Sequence, residues 1–389
     1  MAKIEDIQAA LRDRSIDAWL FCDHHHRDPI AYRILGLPES LMVTRRWFYL
    51  IPAHGEPLKL LHHIEPFHLD SLPGNKRFYA ARQELVDSLR AILSEVQEVA
   101  MQFSPNNMIF TVSVVDAGTV DLVRSLGKNV VSSANLIARF EATWTGDQIR
   151  SHFAARDSID AIMAAALHEI GQRARNSGTS EFEIQQWLVE AFQREDLVAD
   201  GPPIVAVNQN SGNPHYVPTS DHSAPIGEGD FVLLDVWGKK NLPGAVYYDI
   251  SWTGFVGHSL PDRIKEIFEI VRRSRDAGID KVRTSIASGK ALCGWEIDKA
   301  ARDVLNAAGY GQYLNSRVGH SIGTEVHGNG ANMDNFESHD EREVIPNTCF
   351  SIEPGIYLPE FGLRSEVDML VRTGAAEVTG RIQQEVVLI

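Results

Sequence analysis

The rhythm of apolar and polar positions changes once along this chain, near residue 145. Before that point, short apolar runs alternate with helical repeats. Ile4, Ile7, Leu11 and Ile16 recur at helical spacing, and Ala18–Cys22 is a compact apolar run that predicts a strand. Phe48–Pro52 and Pro57–Leu61 predict two more strands, separated by the turn Ala53-His-Gly-Glu56. Glu84–Val99 predicts a helix with Leu85, Leu89, Ile92, Leu93 and Val96 on one face. Val99–Phe103 and Asn129–Ser132 predict further strands. Such alternation predicts a small α/β domain with a mostly parallel or mixed sheet.

From Thr145 the helices lengthen. Ile149, Phe153, Ile159, Ile162, Met163, Leu167 and Ile170 follow helical spacing until Gly178 breaks the pattern. Ser180-Glu-Phe-Glu183 is a capping box that starts the next helix, through Ile184, Leu188 and Phe192. Gly201–Asp230 is proline-rich and loop-like, and it carries Asn213-Pro-His-Tyr216. Arg263–Ala287 and Ile297–Ala308 predict two more helices, the second stopped by Gly309. A chain of 389 residues exceeds what one core usually organises, so two domains are expected, 1–144 and 145–389. No linker rich in Gly, Pro or Ser separates them.

Between these helices lies Phe231–Gly257, two apolar runs joined by a Gly/Pro turn, which predicts an antiparallel pair. Each run holds one carboxylate where an apolar residue is expected: Asp235 after Val-Leu-Leu and Asp249 after Val-Tyr-Tyr. Alone, either is most simply a turn or cap residue. Together on neighbouring strands they repel, and their burial is costly without a cation between them. Later segments add similar groups. His320 and His327 lie in a glycine-punctuated stretch, Glu353 precedes a Pro-Gly turn, and Glu366 starts an apolar run. Four carboxylates and one imidazole suit two divalent cations, with oxygen-rich sets favouring Mn²⁺ and the imidazole admitting Co²⁺, Zn²⁺ or Fe²⁺.

Composition narrows the partners. The formal net charge of -15 argues against nucleic acid and anionic membrane. The three cysteines, Cys22, Cys293 and Cys349, are scattered and form no CxxC pair, which predicts a reducing, cytoplasmic compartment. The first residues show no apolar signal region, and no apolar run is long enough to predict a membrane span. The triplet His24, His25 and His26 reads as a polar loop after a strand, because adjacent side chains point apart and do not share one ion.

The segments LLDVW, YYDISWTGF, VGHSIGTEVH, SIEPGIY and LRSEVDM resemble, in order, those of the pita-bread metallopeptidases. That family includes methionine aminopeptidase, prolidase and aminopeptidase P. The resemblance covers roughly residues 145–389. It implies an α+β fold, with a pita-bread (creatinase/aminopeptidase) catalytic domain behind a smaller N-terminal creatinase-like α/β domain. It also implies a dinuclear centre, in which Asp235 chelates one metal, Asp249 and Glu366 bridge both, and His320 and Glu353 complete one shell. His215-Tyr216, His327 and Arg364 resemble the Xaa-Pro branch, dipeptidase (prolidase) or aminopeptidase.

The resemblance further implies a short peptide substrate with Pro second, a homodimer, and attack by a metal-bridging hydroxide. Glu353 would serve as acid–base, His215 and His327 as donors to the developing charge, and Arg364 as a partner that orients a ligand. Tyr216, Tyr247 and Tyr248 are expected to pack, and Trp237 and Trp252 to form core or pocket wall. Four features depart from the family: a longer interval from Asp235 to Asp249, Trp237 in place of a frequent Gly, Gly328 in place of an acid, and Ser316 in place of a histidine. The interval and Gly328 motivate an alternative, a metal-dependent hydrolase of a different amide or C–N bond. A binding protein that kept the fold without the activity is a third reading, and the complete ligand set speaks against it.

Overall fold

A computed structural model describes residues 3–389. The chain forms two compact units, one ending at Glu141 and the other spanning Ala142–Ile389.

The first unit contains α1 (Ile4–Asp13), β1 (Ala18–Asp23), α2 (Pro29–Leu35), β2 (Trp47–Pro52), β3 (Leu58–His62) and β4 (Asn75–Tyr79). It continues with α3 (Arg82–Ile92), β5 (Glu98–Met101), α4 (Ala117–Ser125), β6 (Asn129–Ser132) and α5 (Ala134–Ile137). Its mixed sheet runs β4-β3-β2-β1-β5-β6. Trp19 and Phe21 of β1 pack with Ile7 and Leu11 of α1 on one face. Leu20 and Cys22 pack with Leu89 of α3 and Val123 of α4 on the other. A strand buried on both faces reads as an unbroken apolar run, which is why β1 was visible in the sequence.

Other elements differ from expectation. The helix expected over Glu84–Val99 spans Arg82–Ile92, and a turn carries the buried Leu93 and Val96 into β5. Ile16 lies beyond the end of α1. The short α2 was not predicted; it is set by the Asp28 cap, Pro29 in its first turn and Gly36 at φ 65° after its end. The edge strand β4 escaped because four of its five residues are exposed and no apolar alternation marks it. The His24–His26 stretch is a tight loop wrapped on one carboxylate. Asp23 accepts the amides of His26, Arg27 and Asp28 at 2.7–3.1 Å and the Tyr32 hydroxyl at 2.8 Å.

The second unit opens with α6 (Gly146–Asn176), capped by Thr145 and Gln148. There follow β7 (Thr179–Ser180), α7 (Glu181–Arg194), β8 (Leu197–Val198), β9 (Ile204–Val207), β10 (Pro225–Ile226), β11 (Phe231–Lys240) and β12 (Tyr248–Phe255). Next come α8 (Asp262–Ala287), α9 (Gly294–Ala307), β13 (Ser321–Ile322), β14 (Cys349–Ile352), β15 (Gly355–Tyr357) and β16 (Gly362–Arg364). The unit ends with β17 (Val367–Arg372), β18 (Ala375–Val378) and β19 (Val387–Leu388).

One sheet runs β19-β12-β11-β8 with β9 also on β11, and a second runs β13-β14-β17-β18. Helices α6 and α7 cover the first through Ile159, Ile162, Leu188 and Phe192. Helices α8 and α9 cover the second through Ile279, Val282, Ile297 and Ala301. Helix α9 starts three residues before the predicted Ile297, at Gly294, where a Cβ would lie 1.9 Å from the Asn332 carbonyl oxygen. Among the described residues, no helix is long and apolar enough to cross a membrane.

Candidate metal centre

In the antiparallel ladder of β11 and β12, Asp235 faces Ser251 and Trp237 faces Asp249. Alternation along each strand therefore puts all four side chains on one face of the sheet. The second sheet brings the rest. Gly319 precedes β13, and a Cβ there would lie 2.0 Å from the Ser351 carbonyl oxygen, so only glycine lets the chain run this close to β14. His320 follows, with its amide donating to Ser351 Oγ at 3.0 Å. Glu353 leaves the end of β14, and Ser351 Oγ donates to its Oε1 at 3.1 Å. Glu366 lies between β16 and β17.

The side chains of Asp249, His320 and Glu366 are buried, and each offers a ligand atom within 4.8 Å of the others. His320 Nε2 lies 3.3 Å from Glu353 Oε1 and 3.6 Å from Asp249 Oδ2. Ser251 Oγ donates to Glu366 Oε2 at 2.6 Å. Arg364 ion-pairs with Asp235, and its Nε donates to Ser251 Oγ at 3.0 Å. The Asp249 amide donates to Asp368 Oδ2 at 2.9 Å, yet Asp249 Oδ1 is buried with no hydrogen-bond partner among the described residues.

This electrostatic arrangement is unfavourable as it stands. Burial, then the charges of Glu366 and Asp235, push the Asp249 carboxyl well above the usual range. Burial, then Glu353 and Asp235, do the same to Glu366. Asp235 is raised by burial, with Arg364 pulling the other way. Burial alone would lower the Arg364 guanidinium, but Asp235 and the surrounding acids outweigh it and hold the group charged. Burial, and then Arg317, lower His320 to about 3, so its ring is a neutral donor of lone pairs. An orphaned buried oxygen, a neutral imidazole and a carboxylate excess over one guanidinium fit divalent cations.

His215 and His327 line the same cavity, of about 300 Å³. The His327 ring packs edge-on against His320 at 4.3 Å between centroids. His215 rides on a loop fixed by Glu181, the first residue of α7. Its buried carboxylate accepts the Val207 and Ala224 amides at 2.7 Å each, the Tyr216 hydroxyl at 2.6 Å and the Asn210 amide at 3.0 Å. Tyr216 is thus a strut, and Trp237 donates to Asp200 at 2.7 Å in the cavity wall. Sequence reasoning passed over Glu181, Asp200, Arg317 and Glu337, all of which border the cavity or hold its loops. Arg317 is half-buried, and among the described residues no carboxylate pairs with its guanidinium. No local pattern marks these loop residues; only the fold brings them together.

His152, Cys349 and Asp368 form a second buried group with metal-type atoms. Both ring nitrogens of His152 are engaged, Nδ1 with the Tyr247 carbonyl at 2.6 Å and Nε2 with the Thr379 hydroxyl at 2.8 Å. The ring is a packed strut rather than an open ligand.

Residues 155–373 match the family model described as Metallopeptidase family M24. An Xaa-Pro dipeptidase from Lactobacillus helveticus is 34% identical over 165 residues, 42% of this chain and 40% of that protein. Another from Lactobacillus delbrueckii subsp. lactis is 33% identical over 201 residues, 51% of this chain and 50% of that one. The matches thus span about half the length of these curated relatives or less. A crystal structure of dipeptidase PepE from Mycobacterium ulcerans superposes with a TM-score of 0.68 at 21% identity, covering 99% of this chain and 96% of that one. That likeness establishes the pita-bread architecture, and the family match, running from within α6 through β17, takes in every strand and loop that brings a carboxylate or imidazole to the centre. The chain belongs to metallopeptidase family M24.

Proposed function

We propose that the chain hydrolyses Xaa-Pro bonds, with dipeptides as the preferred substrates. The observation that carries this reading is the buried convergence of Asp249, His320 and Glu366, with an orphaned Asp249 oxygen, in a cavity that also holds an unneutralised arginine. Asp235, Asp249, His320, Glu353 and Glu366 are the residues that would hold two divalent cations, Mn²⁺ by preference for an oxygen-rich set. Such cations, when bound, polarise a carbonyl and lower the pKa of water toward neutrality. Three unpaired thiols are in keeping with a reducing, cytoplasmic setting.

The chain's own groups do the rest. Glu353, beside His320 and reached by Ser351, takes a proton from the attacking water and returns it to the departing proline nitrogen. His215 and His327 donate to the carbonyl oxygen as it gains charge, the kind of contact worth about 10²–10³ in rate. Arg364 orients Asp235 through their ion pair. Arg317 receives the free carboxylate at the substrate's C-terminus. A cavity of about 300 Å³ is at the small end for ligand sites, which favours a dipeptide over a longer chain.

The test is a parallel assay of Mn²⁺-loaded protein on an Xaa-Pro dipeptide, its C-terminal amide and a C-terminally extended form. The free dipeptide should be cleaved at least about tenfold better than either, the loss expected when one charge-assisted contact goes. Preference for the extended form would replace dipeptidase with aminopeptidase. No cleavage with metal bound would sink the Xaa-Pro reading and leave another amide or C–N bond as the target.

A further inference from the structure

The first unit has a cavity of its own, of about 440 Å³, which the chemistry above does not use. It opens at the carboxyl end of β1, where Cys22 and Asp23 line it. In the sheet order, β2, β3 and β4 lead away from β1 on one side, and β5 and β6 on the other. The point where strand order reverses is where open α/β sheets leave a crevice for ligands. Here α3 and α4 form its walls through Leu85, Val86, Thr119 and Leu122.

The charges are arranged in two levels. Arg27, Arg46 and Arg82 line the cavity and are exposed. None of the three is ion-paired with a carboxylate among the described residues, although Asp23, Asp28 and Asp116 line the same cavity. Those acids are engaged elsewhere. Asp23 holds three loop amides and the Tyr32 hydroxyl. Asp116 caps α4 through the Thr119 amide and hydroxyl at 2.9 and 2.7 Å. Asp28 spends only one oxygen, accepting the Ala31 amide at 2.9 Å. Its other oxygen, Oδ2, is buried and has no hydrogen-bond partner among the described residues, in a residue 1% exposed. Burial raises that carboxyl to about 7, as expected for an acid that lacks its counter-ion. Two and three residues before it, His26 and His25 sit at φ 55° and 62°, a conformation seldom adopted outside glycine and more frequent at functional sites.

We propose that this cavity binds a free α-amino acid with an apolar side chain, its carboxylate on the Arg27, Arg46 and Arg82 rim and its ammonium at Asp28. A polyanion such as phosphate suits the rim alone and is repelled by the acidic floor. A simple amine suits the floor alone and is repelled by the rim. The apolar wall of Leu85, Val86, Val114, Val115 and Leu122 takes the side chain. The site does not depend on the peptidase reading.

The experiment is calorimetric titration of the metal-loaded full chain with L-leucine, L-leucinamide, 4-methylpentanoate and inorganic phosphate. Leucine should bind at least about tenfold more tightly than the other three, since each lacks one of two charge-assisted contacts. The exposed double substitution Arg46→Gln/Arg82→Gln should weaken leucine by at least about tenfold without touching the fold. Asp28→Asn keeps an oxygen for the α2 cap and should bring leucine down to the affinity of 4-methylpentanoate, which has no ammonium to lose. Leucine binding unchanged by the arginine substitutions would place it elsewhere and overturn the proposal. So would phosphate binding as tightly as leucine, or no leucine binding up to about 10 mM.

Discussion

The two cavities are built from the same acidic residue types put to different uses. In the first unit, the oxygens of Asp23 and Asp116 are taken up by backbone amides and hydroxyls, and they hold loops and a helix end in place. In the second, Asp235, Asp249, Glu353 and Glu366 face one another around His320, with Arg364, among the described residues, the one guanidinium paired among them. A carboxylate saturated by N–H groups is architecture. A carboxylate facing other carboxylates in a dry place needs a partner from outside the chain. The difference is testable, because the same kind of substitution should act oppositely in the two places.

The largest effect is expected at Asp249. Asp249→Asn removes one of the crowded charges and leaves the strand intact. Hydrolysis of the Xaa-Pro dipeptide should fall on the order of 10³-fold or more, with bound metal falling in parallel by elemental analysis. The metal-free variant should unfold at higher denaturant than the metal-free parent, because a repulsive buried charge is gone. A variant that is less stable without metal would break the comparison.

Metal itself should separate the units. Ligand at about a thousandfold excess over its dissociation constant stabilises by about 4 kcal/mol. Chelation should therefore lower the unfolding transition of the second unit by that order and leave hydrogen exchange in β1 and β5 of the first unchanged. Equal loss of protection in both units would contradict the separation.

His152 gives a smaller, pH-dependent effect. Its folded pKa is about 4, lowered mainly by burial and further by Arg156 while the bond to Tyr247 opposes, against an ordinary value of about 6.5 in the unfolded chain. Between these values the unfolded state binds the proton and the folded state does not, so stability rises with pH. The contribution is present above about pH 6.5 and is lost as pH falls toward 4, an integrated change of about 3 kcal/mol. The stability gap between the parent and His152→Gln, from urea unfolding, should widen with rising pH across that window. A gap that stays constant would remove the buried neutral imidazole from the account.

The smallest effect is expected in the first unit. Asp116→Ala removes a saturated cap and should cost about 1 kcal/mol in urea unfolding, with metal content unchanged. A change in metal content there would mean that the two cavities are not separate in their chemistry.

Much of the second unit's candidate site was legible because its acids interrupt apolar strands. Asp235 and Asp249 stand out in runs that β11 and β12 bury on both faces. His320 stands out beside Gly319, which the close approach to β14 requires, and Glu353 stands out in an apolar run before a Pro-Gly turn. Arg317, Asp200 and Glu337 were not legible, since exposed or half-buried charges on loops look like any solvated surface until the fold brings them together. Glu181 was hidden for another reason. A Glu in the first turn of a helix is ordinary, and its four donors come from a loop some 26 to 43 residues later. In the first unit the strands β1 and β2 were legible from unbroken apolar runs. Helices α2 and α4 were not, because elements of seven and nine residues span too few turns to show a period.

The ion pair between Arg364 and Asp235 has a consequence for how the protein matures. On the proposed ligand set, the chain carries a cation of its own beside the ligands. Folding can be completed before any metal is captured, with the arginine easing the charge crowding during the interval. Arg364 bonds one oxygen of Asp235, Oδ2, so a metal taken up at the other oxygen can leave the pair in place, and the guanidinium that quiets the empty site goes on aiming the ligand in the loaded one.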